Sequence, residues 1–343
     1  MSLFALPPAV RRLMPDVFTL AILCMVALAS VLPVSGASAV VFGDITALAI
    51  GLLFFLHGAK LSREALLSGL THWRLHLLVL AFTFAMFPLL GLMIKPLALL
   101  MLTPDLYLGI LFLCVLPSTV QSSIAFTAVA RGNVPAAICG ATASNFLGIF
   151  LTPLLVGTLV LHGAAASGHS ALDSVVSIVE QLLLPFIAGQ LLRPWIGKWI
   201  DRNKGMLKYV DQGSILLVVY TAFSASVAEG LWHSISGGML VALLGVCCLL
   251  LGLVLGLATF VSRRLGFSKE DEITIVFCGS KKSLASGIPM AKVLFAPTSL
   301  GMIILPLMLF HQVQLMVCAV LAQKYAQRAD VPATLSSETT SSV

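Results

Sequence analysis

The sequence predicts an all-α, polytopic membrane protein, and three observations carry that prediction. Hydrophobic residues fill 59% of the 343 positions and charged residues only 10%, where a soluble domain carries about a quarter charged. Mean hydropathy is +1.05. Apolar runs of about 20 residues, the length that crosses a hydrocarbon core as a helix, recur along almost the whole chain. A bilayer interior offers no water to unpaired backbone groups, so such runs must fold as helices, and no room remains for a large soluble domain.

Taken in order, the spans are expected at Val17–Val34, Val40–Leu61, Leu75–Leu100, Leu106–Ala130, Val134–Leu161, Asp173–Leu192, Tyr209–Ala228, Gly237–Val261, Asp271–Phe295 and Leu300–Gln323. The first follows Arg11 and Arg12 and precedes SGASA, which together imitate a secretory signal with a small-residue cleavage site. It is kept as a helix because the charge distribution requires it. With the amino terminus in the cytoplasm, 16 of the 20 basic residues fall in cytoplasmic segments, from Arg11 and Arg12 to Lys324 and Arg328. Only Lys95 and Lys292 fall outside, and Lys281 and Lys282 lie within a span. Removing or adding one span would invert every later loop and spoil this partition, so the positive-inside rule supports ten helices with both termini cytoplasmic. The same placement of basic residues in short loops explains the net charge of +6 without nucleic acid as a partner. A bacterial inner (plasma) membrane is the expected location, with the lipid bilayer as the surrounding partner.

Ten helices divide into two sets of five, joined by the basic loop from Arg193 to Lys208. An odd number per set makes the repeat inverted in the membrane, a frequent transporter design. Residues 1–192 would hold the first repeat plus helix 6, residues 193–329 the remainder of the second, and residues 330–343, ending in ATLSSETTSSV, a disordered cytoplasmic tail. The fourth and ninth spans share one unusual feature: small and polar residues interrupt them near the middle, as LPSTVQSS (116–123) and CGSKKS (278–283). Paired interruptions at corresponding positions point to a transporter binding site. Pro117 and Gly279 stand at the breaks, where the helix gives up backbone hydrogen bonds that protein, water or ligand must replace.

The candidate binding residues therefore cluster around the breaks. Ser118, Thr119, Gln121, Ser122 and Ser123 surround the first; Gly279, Ser280, Lys281, Lys282 and Ser283 form the second. The tenth span adds His311, Gln312 and Gln314, and the fifth, its counterpart in the repeat, adds Thr142, Ser144 and Asn145. Hydroxyls in membrane helices also bond back to their own helix, and amides glue helices together. The lysines demand more, because a charge near the bilayer centre costs about 2.5–3.5 kcal/mol on insertion scales. Neighbouring side chains on a helix point about 100° apart, so one shared pocket accommodates one lysine more easily than both. A structural ion pair with Glu180 of the sixth span is the competing account.

The seven cysteines lie in apolar runs without metal-ligand or disulfide spacing and are expected to pack. No HExxH, no aspartate pair on neighbouring spans and no nucleophile with a base supports an enzyme. No cofactor is expected. A ligand-binding sensor that signals through its cytoplasmic loops is a further class, opposed by how short those loops are.

The segments FFLHGAKLS (54–62), ARGNV (130–134), FCGSKKSLASGIPMA (277–291) and ILPLMLFHQVQL (304–315) resemble the bile acid/sodium symporter family in its symporter-like bacterial branch. The resemblance covers nearly all ten spans. It implies a panel domain and a core domain, with the fourth and ninth helices crossing at their breaks and sodium ligands gathered there in sodium-coupled relatives. In this sequence Ser122 and Ser123 occupy the neighbourhood of the family's serine-asparagine pair. Phe277 falls where a glutamate is expected, Lys281 near a glutamine, and Ala137 and Ala141 replace hydroxyls of the fifth helix, where Thr142 remains. Loss of the carboxylate and gain of a lysine oppose sodium binding, since like charges repel at low dielectric. The expected function is alternating-access transport of a small organic anion, attracted by lysine charge and by helix N-termini at the breaks. Its coupling ion would be a proton exchanged at Lys281 or Lys282, with sodium-coupled symport of a bile-acid-like anion as the alternative. Substrate identity and oligomeric state do not follow from the sequence.

Overall fold

The computed structural model describes residues 17–60, 72–160 and 179–328. Twelve helices organise the described chain: α1 Val17–Val31, α2 Ala37–Lys60, α3 Trp73–Met93, α4 Pro104–Val115, α5 Val120–Val129, α6 Val134–Val160, α7 Leu184–Arg202, α8 Lys204–Ala228, α9 Gly237–Arg264, α10 Lys269–Gly279, α11 Leu284–Leu294 and α12 Leu300–Ala326. A π-helical turn at Val179–Leu183 leads into α7, and short helices at Lys95–Met101 and Leu231–Ser234 complete the list. Arg11, Arg12, the start of the sixth predicted span at Asp173, the Glu180 side chain and the carboxyl-terminal tail after Arg328 lie outside the described residues.

Local chemistry sets the helix starts. Thr103 accepts a hydrogen bond from the Leu106 N–H ahead of Pro104, and Asn133 does the same for Ala136 ahead of Pro135. Proline tolerates the first turn, where its missing N–H would be unpaired anyway. Ser236 and Ser268 cap α9 and α10 through the N–H groups of Met239 and Asp271. Gly266, at φ +72°, follows α9 with a left-handed residue that glycine adopts without steric cost.

Six helices (α2, α3, α6, α8, α9 and α12) are long and apolar enough to cross a membrane, and α4 with α5, bent by 63° across residues 116–119, makes a seventh span. The chain is a multi-pass integral membrane protein. Two sequence expectations need correction. The third span does not run unbroken to Leu100: α3 ends at Met93, and Pro96, which has no N–H to give the Leu92 carbonyl, restarts a short helix at Lys95. The basic stretch from Arg193 to Lys208 is not a loop either, since α7 continues to Arg202 and only Asn203 separates it from α8. Ile196 and Ile200 pack on Leu56, Ala59, Leu207 and Val210, so the polar residues of this stretch form one face of an amphipathic helix that has a buried opposite face.

Helices α1, α2, α7 and α8 pack against one another, and α3 to α6 with α9 to α12 form a second group, joined to the first mainly through α8 against α11 and α12. The α2–α7 contact is backbone against backbone. A Cβ at Gly58 would stand 2.0 Å from the Phe186 carbonyl oxygen, and one at Gly189 the same distance from that of Phe55. Without a hydrophobic driving force between helices in lipid, such close approach supplies the packing.

Candidate functional site

The two interruptions meet in space. The Ser283 N–H donates to the Pro117 carbonyl at 2.9 Å, and the Thr119 hydroxyl donates to the Lys282 carbonyl at 2.9 Å. The Ser118 and Ser123 hydroxyls donate to the carbonyls of Cys278 and Phe277, at 2.6 and 3.2 Å. Each break thus satisfies the backbone groups that the other leaves open, as a dry interior requires. Residues of α6 and α12 complete the joint. Ser144 accepts from the Ser118 N–H, and Asn145 donates to the Ser118 carbonyl at 2.6 Å while accepting from Ser286 at 2.9 Å. Gln314, fully buried, accepts from the Lys282 N–H and donates to the Lys282 carbonyl, with His311 Nδ1 2.9 Å from its amide nitrogen.

Both lysine side chains are fully buried in the same joint. Lys282 Nζ donates to three carbonyls, those of Thr83, Cys114 and Leu116, at 2.7, 2.7 and 2.8 Å. An ammonium has three donors, so all are used, and the Phe87 ring lies 4.1 Å from the nitrogen. The acceptors are explicable. Cys114 and Leu116 stand at the carboxyl end of α4, where helix carbonyls lack partners and the helix dipole is negative. At Thr83, α3 loosens into a π turn over Phe82–Met86, in which the Phe87 N–H reaches back to Phe82. The next residue is Pro88, with no N–H to offer. The Thr83 carbonyl is thereby left for the lysine. Lys281 Nζ takes a different course, donating to the Ser122 carbonyl at 2.9 Å and standing 3.7 Å above the Phe126 ring and 5.5 Å from that of Phe277. The lysine partners found here are carbonyls and rings.

Beside this joint lies a cavity of about 390 Å³. The first helix group contributes Phe54, His57 and Lys60 from α2 and Asp211 and Gln212 from α8; the second contributes Thr119 and Gln121, Thr142 and Asn145, and Ser283 and Ser286. Lys60 and Asp211 form an ion pair within that first wall. Asp211 Oδ1 is buried without a hydrogen-bond partner in the same lining. Of the residues singled out from sequence, Thr119, Gln121, Thr142, Asn145 and Ser283 line the cavity. Ser118, Ser123, Ser144, Gly279, Ser280, Lys281, Lys282 and Gln314 are buried behind it in the joint, where the Ser122 hydroxyl is also buried and without a partner. His311 is held by Gln314; Gln312 is half-buried and stands outside the cavity lining. Sequence reasoning left out Lys60, Asp211 and Gln212 and gave His57 no role. Their only sequence signal is a titratable or amide side chain at the end of an apolar run.

Interlocked broken helices beside a polar-lined cavity at the seam of two helix groups are an arrangement that recurs in membrane transporters. The chain belongs to the SBF-like CPA transporter family, whose model matches residues 16–327. It is 66% identical over 319 residues to an uncharacterized protein of Pseudomonas aeruginosa, covering 93% of this chain and 95% of the relative. It is 55% identical to "Putative symporter YfeH" of Escherichia coli, over 92% of this chain and 94% of the relative. It is 31% identical to sodium/bile acid cotransporter 7 of Rattus norvegicus, over 80% of this chain and 81% of the relative.

Proposed function

We propose that this protein is a secondary active transporter of a small organic anion, working by alternating access at the cavity between the two helix groups. The observation that carries the reading is that the first turns of α5 and of α11, at Thr119–Gln121 and Ser283–Ser286, line the same cavity. Thr119 spends its hydroxyl on the Lys282 carbonyl and leaves the α5 N-terminus uncapped. Two helix N-termini aimed at one space favour negative charge there, and Lys208 stands on the opposite wall beside the Lys60–Asp211 pair. In this reading α1, α7 and the α10–α11 pair complete ten spans as two inverted repeats of five, each contributing one broken helix. The carboxyl terminus, like the amino terminus, is cytoplasmic.

Coupling in this reading does not use sodium. The Lys282 ammonium and its three carbonyls are a cation already in place between the broken helices, and Lys281 places a second against Ser122. Proton exchange at Lys281, which has one carbonyl partner and two rings, is the coupling step we assign. The names of the eukaryotic relatives favour sodium-coupled symport of a bile-acid-like anion as the second reading. Uptake into liposomes of purified protein separates them. Accumulation of labelled organic anions, from short carboxylates to a bile acid, should follow an imposed pH gradient in potassium buffer. Accumulation that requires sodium, or a sodium-specific rise in thermal stability, would establish the second reading, and accumulation of cations alone would overturn both.

A further inference from the structure

A second concavity, about 930 Å³, runs along the outer surface between α9 and α12. Its walls are Leu255, Phe260, Met316, Val317 and Val320, and one end carries Arg263, Arg264 and Lys324. Phe260, Met316, Val317 and Val320 are exposed. A Cβ built at Gly256, in the wall of the groove, meets nothing within 4 Å. The cations are not equivalent. Arg263 is held by Glu272 through two bonds, at 3.0 and 3.2 Å, and Glu272 also receives Lys269 at 2.6 Å and Tyr325 at 3.2 Å. Arg264 lies against Phe260, 5.2 Å from the ring centre, and Lys324 is exposed. Arg74 adds a further positive charge near this helix end, bonding to the Leu265 carbonyl.

We propose that this groove binds an anionic phospholipid, its acyl chains along α9 and α12 and its phosphate at Arg264 and Lys324. The argument is charge complementarity along one axis: an apolar channel ends at Arg263, Arg264 and Lys324, and Glu272 holds only Arg263 of these three. By the distribution of basic loops this end lies at the cytoplasmic face, whose leaflet carries the anionic lipids, and basic pockets between membrane helices are recurrent headgroup sites. Glu272 has a positioning role here, because it pins Arg263 and links α9, α10 and α12 at the mouth of the groove.

Native mass spectrometry and thermal unfolding of the full-length protein in detergent, with added phosphatidylglycerol or phosphatidylcholine, test this. Phosphatidylglycerol should be retained and should raise the unfolding temperature more than phosphatidylcholine. The double variant Arg264→Gln/Lys324→Gln should bind it about thirtyfold more weakly, at roughly 1 kcal/mol per basic residue. Gly256→Leu, which fills the groove from an open position and is favourable in a helix, should lose the preference while still eluting as a folded species. Equal effects of the two lipids, unchanged binding in both variants, an effect reproduced by inorganic phosphate alone, or a groove shielded by a second copy of the chain would each overturn the proposal.

Discussion

Replacing Lys282 with methionine is the sharpest test of how the joint is held. Methionine has a similar length and no donor, so the substitution removes three charged hydrogen bonds of 2.7, 2.7 and 2.8 Å and leaves the carbonyls of Thr83, Cys114 and Leu116 without the donor that now fills them. Hydrogen bonds to a charged group contribute about 1.5–3 kcal/mol each, or roughly 4.5–9 kcal/mol for three. Against that stands the cost of keeping the charge in the membrane, about 2.5–3.5 kcal/mol on insertion scales. The difference leaves a net loss of about 1–6.5 kcal/mol, which lowers the unfolding temperature by roughly 10 °C at the middle of that range. Lys281→Met removes one carbonyl contact and two ring contacts, so its loss should be smaller, about 1–2 kcal/mol. Thermal unfolding in detergent, followed by tryptophan fluorescence, gives both shifts. A neutral Lys282→Met, or a Lys281→Met that destabilises as much, would refute the reasoning that the three carbonyls make Lys282 the structural cation.

Asn145→Ala removes the bonds to Ser118 and Ser286 that tie α6 to both breaks; liposome uptake per folded protein should fall at least about tenfold for a loss near 1.4 kcal/mol, and unchanged uptake would separate this residue from transport. Gly58→Val and Gly189→Val place a side chain where even a Cβ stands 2.0 Å from a carbonyl oxygen. Each should destabilise the α2–α7 contact by more than about 2 kcal/mol, read as a lower unfolding temperature, whereas Gly213→Val, at a position with open space, should have little effect.

The sequence alone determined the helical class, the membrane setting and the places where the fourth and ninth spans break. These follow from one-dimensional quantities: the length of an apolar run, the side on which basic residues accumulate, and the loss of an N–H at Pro117. It also located two lysines that an apolar segment cannot leave unexplained. Tertiary structure alone decided what they do. The acceptors of Lys282 lie 199, 168 and 166 residues away, and one of them exists only because a π turn ahead of Pro88 frees the Thr83 carbonyl. No spacing rule connects those positions. The cavity shows the same division. Thr119, Asn145 and Ser283 were legible because they sit at or pack on a break, while Lys60 and Asp211 looked like ordinary helix-end charges until α2 and α8 packed side by side and placed both on one wall. The stretch from Arg193 to Lys208 misled for a related reason. Its charges resemble a loop when counted along the chain, and only the packing of Ile196 and Ile200 against Leu56, Ala59 and Leu207 turns it into helix. Composition fixes which segments leave water; the partner that each buried polar group finds depends on distances that exist only after the helices have packed.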